Sequence, residues 1–182
     1  MKTCATALVA LALVALAAAG RAPSQAQGAA AKQSITVLAA NRVETPARIR
    51  LNAVRRAHGL RPLRFSSELA QAARAHAASM GARGYFSHTS ADGTPFARRL
   101  ARFYARTARH FVVGESMYWR SPNAPPADIV ARWLASPPHR EILLDPAWRE
   151  IGLEAVRVPR GPGIFGGRAV TIVVADFGAR LS

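Results

Sequence analysis

The spacing of hydrophobic and polar positions changes along the chain, and each change predicts a different element. Four segments carry apolar side chains at the i, i+3, i+4 spacing that is typical of amphipathic helices. They are residues 45–58, residues 66–84, a segment that starts at residue 94, and residues 125–136. The later segments 151–158 and 169–177 are rich in β-branched residues and predict two strands, joined as a hairpin by a loop of Gly and Pro.

The first two helices have recognisable ends. Thr45 and the proline after it are expected to begin the first helix, and Gly59 to end it. Ser66 is the expected cap of the second helix, and Gly81 and Gly84 are expected to end it. His58 and His76 fall within these helices, and both are interpreted as structural, one at a helix C-terminus and one as a hydrogen-bonded core residue.

The fourth helix is bounded by prolines on both sides. Pro125 precedes it, Trp133 lies on its apolar stripe, and the pair Pro137 and Pro138 prevents its continuation. His139 is therefore expected just beyond the end of this helix, before a second short apolar turn. A titratable side chain held by a stiff Pro-Pro segment is a candidate for a functional site.

A third strand is predicted at residues 111–118, because two strands alone are marginal in water. Glu115 is a single carboxylate among the apolar residues of this segment and is expected to have a partner, either in a site or in backbone N–H groups or an arginine. Helices combined with a small sheet indicate the α/β (α+β) class. We predict a three-layer α-β-α sandwich with a small, mainly antiparallel central sheet.

The N-terminal composition predicts export. Residues 1–26 read as a signal peptide, whose apolar run is shorter than a membrane-spanning helix, with cleavage after Ala26 or after Ala19. Residues 27–44 are expected to be a linker and residues 45–182 a single domain. The mature chain is therefore expected to be secreted and to have no transmembrane segment.

The charge of the chain adds a class of partners. The formal net charge is +15, and nearly all of the basic residues are arginines. Such a charge favours anionic partners such as envelope polymers or lipid head groups, and the alternative is an ordinary solvated surface that is rich in arginine. Arg98, Arg102, Arg106 and Arg109 would share one helix face, which is expected to be solvated. Nucleic-acid binding is not expected, since aromatic residues are not interleaved with the arginines. Cys4 is the only cysteine and lies in the leader, so the mature domain is expected to contain no disulfide.

Four motifs occur together in a fixed order. They occupy residues 84–88, 114–116, 133–140 and 151–153, and they follow a pattern of Leu, Asn and Pro-Leu over residues 51–63. In this order they resemble the bacterial single-domain branch of the CAP superfamily. That superfamily, also called SCP-like, is named after cysteine-rich secretory proteins, antigen 5 and pathogenesis-related-1 proteins. The resemblance covers roughly residues 46–178.

The resemblance implies a three-layer sandwich and a ligand cleft lined by a His/Glu/Glu/His tetrad. His88 corresponds to the first histidine of the tetrad, Glu115 to a glutamate and His139 to the second histidine. Ser136 stands where the other glutamate is expected, and Ser116 where an asparagine is expected. Three tetrad positions are therefore retained, and His88, Glu115, Ser136 and His139 form the expected cleft.

The chemistry of these residues leaves several functions open. Two neutral imidazoles, His88 and His139, with one carboxylate, suit zinc or another divalent ion that could activate water. A Ser-His nucleophile is disfavoured because no orienting acid is marked. A third interpretation is a buried polar network that holds loops together.

We expect a binding or interaction module without catalysis, whose ligand is a lipid, an anionic envelope polymer, a metal ion or a protein. Members of the family that this chain resembles have been linked to lipid or sterol binding, protein interaction, metal binding and occasionally proteolysis. The alternative is a metal-assisted hydrolase that uses His88, Glu115 and His139. The oligomeric state does not follow from the sequence.

Overall fold

The computed structural model describes residues 36–37, 42–105 and 110–181. Its helices and strands follow in chain order, with a short 3-10 turn at Gly163–Phe165: β1 Thr36–Val37, α1 Glu44–Ala57, β2 Arg64–Phe65, α2 Ser67–Arg83, α3 Phe96–Tyr104, β3 His110–Arg120, α4 Pro126–Ala135, α5 Pro137–Leu144, β4 Glu150–Val158 and β5 Val170–Leu181. The signal peptide predicted at 1–26 lies outside the described residues. No helix in the described part of the chain is long and apolar enough to cross a membrane.

The sheet has the strand order β1-β4-β5-β3, and all of these neighbours are antiparallel. The short strand β2 pairs with β4 in parallel, so the sheet is mainly antiparallel, as predicted. The predicted hairpin is formed by β4 and β5, and the predicted third strand, β3, pairs with β5 along its whole length. Two residues of the segment predicted as a linker, Thr36 and Val37, form strand β1 and pair with β4.

Helices cover both faces of this sheet. The side chains of α1, α4 and α5 pack with Leu153, Val173 and Phe177 on one face. Those of α2 pack with Val156 and Ile172 on the other face, where α3 also lies against α2. Successive residues of a strand point to opposite faces, and the apolar residues of β4 and β5 therefore supply both cores. The three-layer α-β-α sandwich is confirmed.

Two predicted helix ends differ from the structure. Gly81 does not end α2 but lies inside it, where a Cβ atom would come within 2.6 Å of Val158 Cγ2, so glycine is needed there for the packing of α2 on β4. Gly84, in the left-handed conformation with φ of 71°, is the residue that ends the helix. His139 does not lie in a loop after α4, because Pro137 begins the new helix α5.

Two of the four arginines predicted to share one helix face, Arg98 and Arg102, lie on the third helix. It ends at Tyr104, and Arg106 and Arg109 lie outside the described residues. Its fully buried residues are Leu100 and Tyr104. Phe96 and Phe103, which helical spacing places on the same apolar stripe as Leu100, are only partly buried, and the buried face instead includes Arg99.

Candidate functional site

Glu115 lies on β3 and faces the α2 and α3 side of the sheet, with 2% of its surface exposed. Its Oε1 atom accepts a hydrogen bond from His88 Nδ1 at 2.8 Å, and its Oε2 atom accepts one from the Nη2 atom of Arg99. Burial alone would raise the pKa of Glu115, but the hydrogen bond from His88 and the Arg99 guanidinium hold it below its usual range. The carboxylate is therefore ionised, and each of its two oxygens has a protein donor.

His88 is positioned by the loop that connects α2 to α3. Arg99, one turn into α3, donates from Nη1 to the carbonyl oxygen of His88 at 2.9 Å and to Ser90 Oγ at 3.2 Å. The imidazole also makes an edge contact with Phe96, at 6.3 Å between ring centroids. One guanidinium thus holds both the backbone of His88 and the carboxylate that binds its side chain. The His88 side chain remains half exposed.

Asp176 is a second buried acid at this site, and the sequence reasoning did not single it out. It is the direct partner of Glu115 across β3 and β5, so both side chains lie on the same face of the sheet. It is fully buried, no donor among the described residues reaches its carboxylate oxygens, and its protonated form is close enough to donate a hydrogen bond to Glu115. Burial and then the negative charge of Glu115 raise the pKa of Asp176 well above its usual range. An acid within an otherwise apolar strand was the signal available in the sequence.

His76 supports the same loop from α2. It is 1% exposed, and its Nε2 atom lies 2.9 Å from the carbonyl oxygen of Ser87, the residue before His88. Burial, followed by the nearby Arg99 charge, lowers the pKa of His76. Its predicted role as a hydrogen-bonded core residue is confirmed by these contacts.

His139 and Ser136 lie at the start of α5, where Ser136 is the residue before the first helical turn. His139 Nδ1 is 2.9 Å from Ser136 Oγ. Sequence reasoning had not expected this hydrogen bond, which arises because residues three apart are neighbours on a helix. In the described part of the chain no acid binds the other ring nitrogen, so the pair lacks the orienting group of a catalytic triad.

His139 is electrostatically close to His88. Burial, and then the charge of His88, lower the pKa of His139. Within the described residues 42–105 and 110–181, no hydrogen bond joins His139 to His88 or Glu115. The predicted site residues therefore form two hydrogen-bonded pairs, His88 with Glu115 and His139 with Ser136.

A three-ligand metal centre does not fit these residues. Within the described ranges, no group of three His, Cys, Asp or Glu side chains is arranged to hold a metal ion. Both oxygens of Glu115 are already bound, and the neighbouring Arg99 cation would repel a divalent ion. Only the Nε2 atoms of His88 and His139 are left as donors, and a catalytic zinc site normally has three protein ligands. Divalent metal binding by these two histidines stays a prediction.

A family model and one curated relative match this chain. The model described as "Cysteine-rich secretory protein family", or CAP, matches residues 49–177. "Uncharacterized protein YkwD" of Bacillus subtilis (strain 168) is 30% identical over 105 residues, which are 56% of this chain. The chain spans only 38% of the length of that relative.

Solved structures share the fold. An extracellular protein containing an SCP domain from Bacillus anthracis str. Ames matches with a TM-score of 0.57 at 22% identity, over 74% of this chain and 39% of that one. An outer surface protein from Borrelia burgdorferi matches with a TM-score of 0.56 at 21% identity, over 74% of this chain and 90% of that one. A cysteine-rich secretory protein from Staphylococcus aureus subsp. aureus Mu50 has a TM-score of 0.51 at 19% identity, over 73% and 36% of the two chains. At these identities the likeness shows the fold.

Proposed function

Because this chain belongs to the cysteine-rich secretory protein (CAP) family, we propose that it is an exported binding module whose ligand contacts His88 and His139. Export is supported by the N-terminal sequence and by structural neighbours that are described as extracellular or outer-surface proteins. The proposed ligand is anionic, since the chain has a formal net charge of +15. Envelope polymers and lipid head groups belong to this class.

The state of Glu115 supports binding rather than hydrolysis. A general base needs a free carboxylate oxygen within reach of the proton it accepts. Both oxygens of Glu115 accept hydrogen bonds from protein groups, and the residue is almost fully buried. Its role is then to orient His88, whose half-exposed imidazole can contact a ligand. This occupied carboxylate is the observation on which the proposal depends.

The test is binding of two defined anionic probes. Phosphatidylglycerol vesicles and soluble poly(glycerol phosphate) are titrated into the wild type, into His88→Ala/His139→Ala and into His110→Ala, which removes an exposed histidine at the start of β3. We expect saturable binding of at least one probe by the wild type and by His110→Ala, and a loss of about tenfold or more in affinity for the double variant. Equal binding by all three proteins, or no binding, would contradict the proposal.

A metal-assisted hydrolase is the second candidate. The observation that favours it is that Nδ1 of each histidine is hydrogen bonded, to Glu115 in His88 and to Ser136 in His139. Metal-binding histidines are commonly oriented in this way, with Nε2 left for the metal. Native mass spectrometry of protein purified without chelators tests for the metal that this second candidate requires, and a metal-free wild type would contradict it. A divalent mass increment that is absent from His88→Ala/His139→Ala would support a metal site.

A further inference from the structure

A cavity lies between the end of α2, the following loop and α3. Its volume is about 380 Å³, at the lower end of the range for small-molecule sites. The charged residues of its lining are Arg83, Arg99, Arg102 and Asp92, so the cavity is predominantly basic. Neither His88 nor His139 lines this cavity.

Two of these arginines have unused hydrogen-bonding capacity. Arg83 and Arg102 are exposed, and neither donates a hydrogen bond to another residue in the described part of the chain. Arg102 lies near enough to Asp92 to help lower the pKa of that carboxyl, behind the hydrogen bonds from Thr94. The planar guanidinium presents several N–H groups in a fork that matches the oxygens of phosphate or carboxylate. Arg83 and Arg102 thus present two guanidinium groups at the mouth of the cavity.

The buried wall distinguishes this cavity from an ordinary basic surface. Arg99 and His76, which are 6% and 1% exposed, both line it. Arg99 Nε and His76 Nδ1 are buried and have no hydrogen-bond partner among the described residues. An unsatisfied buried polar atom costs about 1–3 kcal/mol, and each such atom in a native protein needs an explanation. These two atoms are too deeply buried to meet a ligand, and the two residues instead give the cavity a buried polar wall beside the exposed Arg83 and Arg102.

The remaining polar groups suit hydroxyl groups of a ligand. Ser79 and Ser90 line the cavity with Asp92, whose Oδ1 atom also accepts a hydrogen bond from the backbone N–H of Thr94 at 2.9 Å. A carboxylate beside an anionic ligand is unfavourable unless it accepts a hydrogen bond from a hydroxyl group of that ligand. The lining therefore combines donors for one oxyanion with acceptors for hydroxyl groups.

We propose that this cavity binds a small hydroxylated molecule through its phosphate or carboxylate group, with Arg83 and Arg102 as the main contacts. This inference goes beyond the proposed function, because it concerns a cavity that neither His88 nor His139 lines. Arg99 belongs to both, since its Nη atoms hold His88 and Glu115 while the residue also lines the cavity.

The experiment is an NMR titration of the uniformly ¹⁵N-labelled mature protein. The probes are glycerol 3-phosphate, glycerate and inorganic phosphate, with glycerol as the uncharged control. We expect saturable shifts of amides in residues 79–92 and 96–103 with an anionic probe and none with glycerol. Arg83→Gln/Arg102→Gln should weaken that binding about tenfold or more, since each lost charged hydrogen bond contributes substantially. Both positions are exposed, so thermal unfolding of the variant should match the wild type.

A matched variant controls for net charge. Arg132→Gln/Arg160→Gln removes two exposed arginines that do not line this cavity, and its affinity should stay within about twofold of the wild type. Equal weakening by both pairs would overturn the proposal, because it would show a general charge effect. Absence of saturable shifts with all three anions would also overturn it.

Discussion

At the scale of single residues, Arg99 is the polar side chain that connects the candidate site. It reaches Glu115, the carbonyl oxygen of His88 and Ser90 from one buried position. A buried ion pair contributes little compared with an apolar pair of the same shape, but loss of one partner leaves an uncompensated buried charge. Each partner is therefore expected to depend on the other.

This dependence predicts the outcome of a double-mutant cycle. Glu115→Leu and Arg99→Met should each lower the free energy of unfolding by about 3 kcal/mol or more, and the double variant should lose less than the sum of the two. Urea unfolding measures all three differences. The exposed pair Arg120 and Asp128 is the control, where Arg120→Met should cost less than about 1 kcal/mol. Additive losses for the buried pair would contradict the coupling.

Asp176 predicts a pH-dependent difference in stability. Its folded-state pKa is raised, so its contribution is fully present below the unfolded pKa and is lost as pH rises through the folded pKa. Asp176→Asn keeps a neutral side chain at every pH. The variant should therefore gain stability relative to the wild type as pH rises above 3.8, by up to about 1.4 kcal/mol per pH unit. Urea unfolding of both proteins from pH 4 to 8 gives this difference, and a constant difference would contradict it.

At the scale of elements, the contact between α2 and β4 positions the loop that carries His88. Gly152 on β4 lies so close to α2 that a Cβ atom would be 2.0 Å from the backbone nitrogen of Ala70. Gly81 makes the reciprocal close approach from α2, against Val158. Small residues on both elements let the helix axis lie near the sheet. The loop that carries His88 leaves α2 at Gly84, and the depth of this packing therefore sets its position.

Gly152→Ala is expected to disturb this packing. The added methyl group meets backbone atoms that cannot rotate away, so the free energy of unfolding should fall by about 3 kcal/mol or more. Gly59→Ala is the control, because nothing lies within 4 Å of that position and only its φ of +70° opposes the change. It should cost about 1 kcal/mol. Urea unfolding compares the two, and equal costs would show that the close approach is unimportant.

At the scale of the whole molecule, the chain combines strong basic charge with the lack of a cysteine in residues 5–182. The sequence contains a single cysteine, Cys4, and its formal net charge is +15. Two apolar cores, one on each face of the sheet, then have to stabilise the domain without a disulfide. Long-range attraction to polyanions is expected to depend on ionic strength.

The predicted signal peptide implies where the mature protein begins and how its unfolding responds to a reducing agent. Intact mass measurement of protein recovered from outside the cytoplasm should place its first residue at Gln27 or Gly20. The thermal unfolding curve of that protein should be the same with and without a reducing agent, since Cys4 is removed with the leader. A full-length chain, or a curve that shifts on reduction, would contradict the prediction.

Local patterns were sufficient to predict most elements and the layer architecture. Apolar periodicity, helix caps such as Ser66 and the runs of β-branched residues act over a few positions, so they can be read directly from the chain. The motifs also predicted that His88, Glu115 and His139 would belong to one region. Boundaries were less accurate at Gly81, which lies inside α2, and after α4, which ends before Pro137 as predicted but is followed directly by the further helix α5.

The sequence by itself therefore determined the order and type of the larger elements, and with them the fold and the family motifs, whereas α5, β1 and β2 were not predicted. Only the tertiary structure decided which side chains meet. Asp176 faces Glu115 because of the register of β5 on β3, and Arg99 reaches both Glu115 and His88 because α3 packs with that residue inward. Such contacts join residues far apart in the chain, and they form only when elements that are each encoded locally are brought together by the burial of their shared apolar faces.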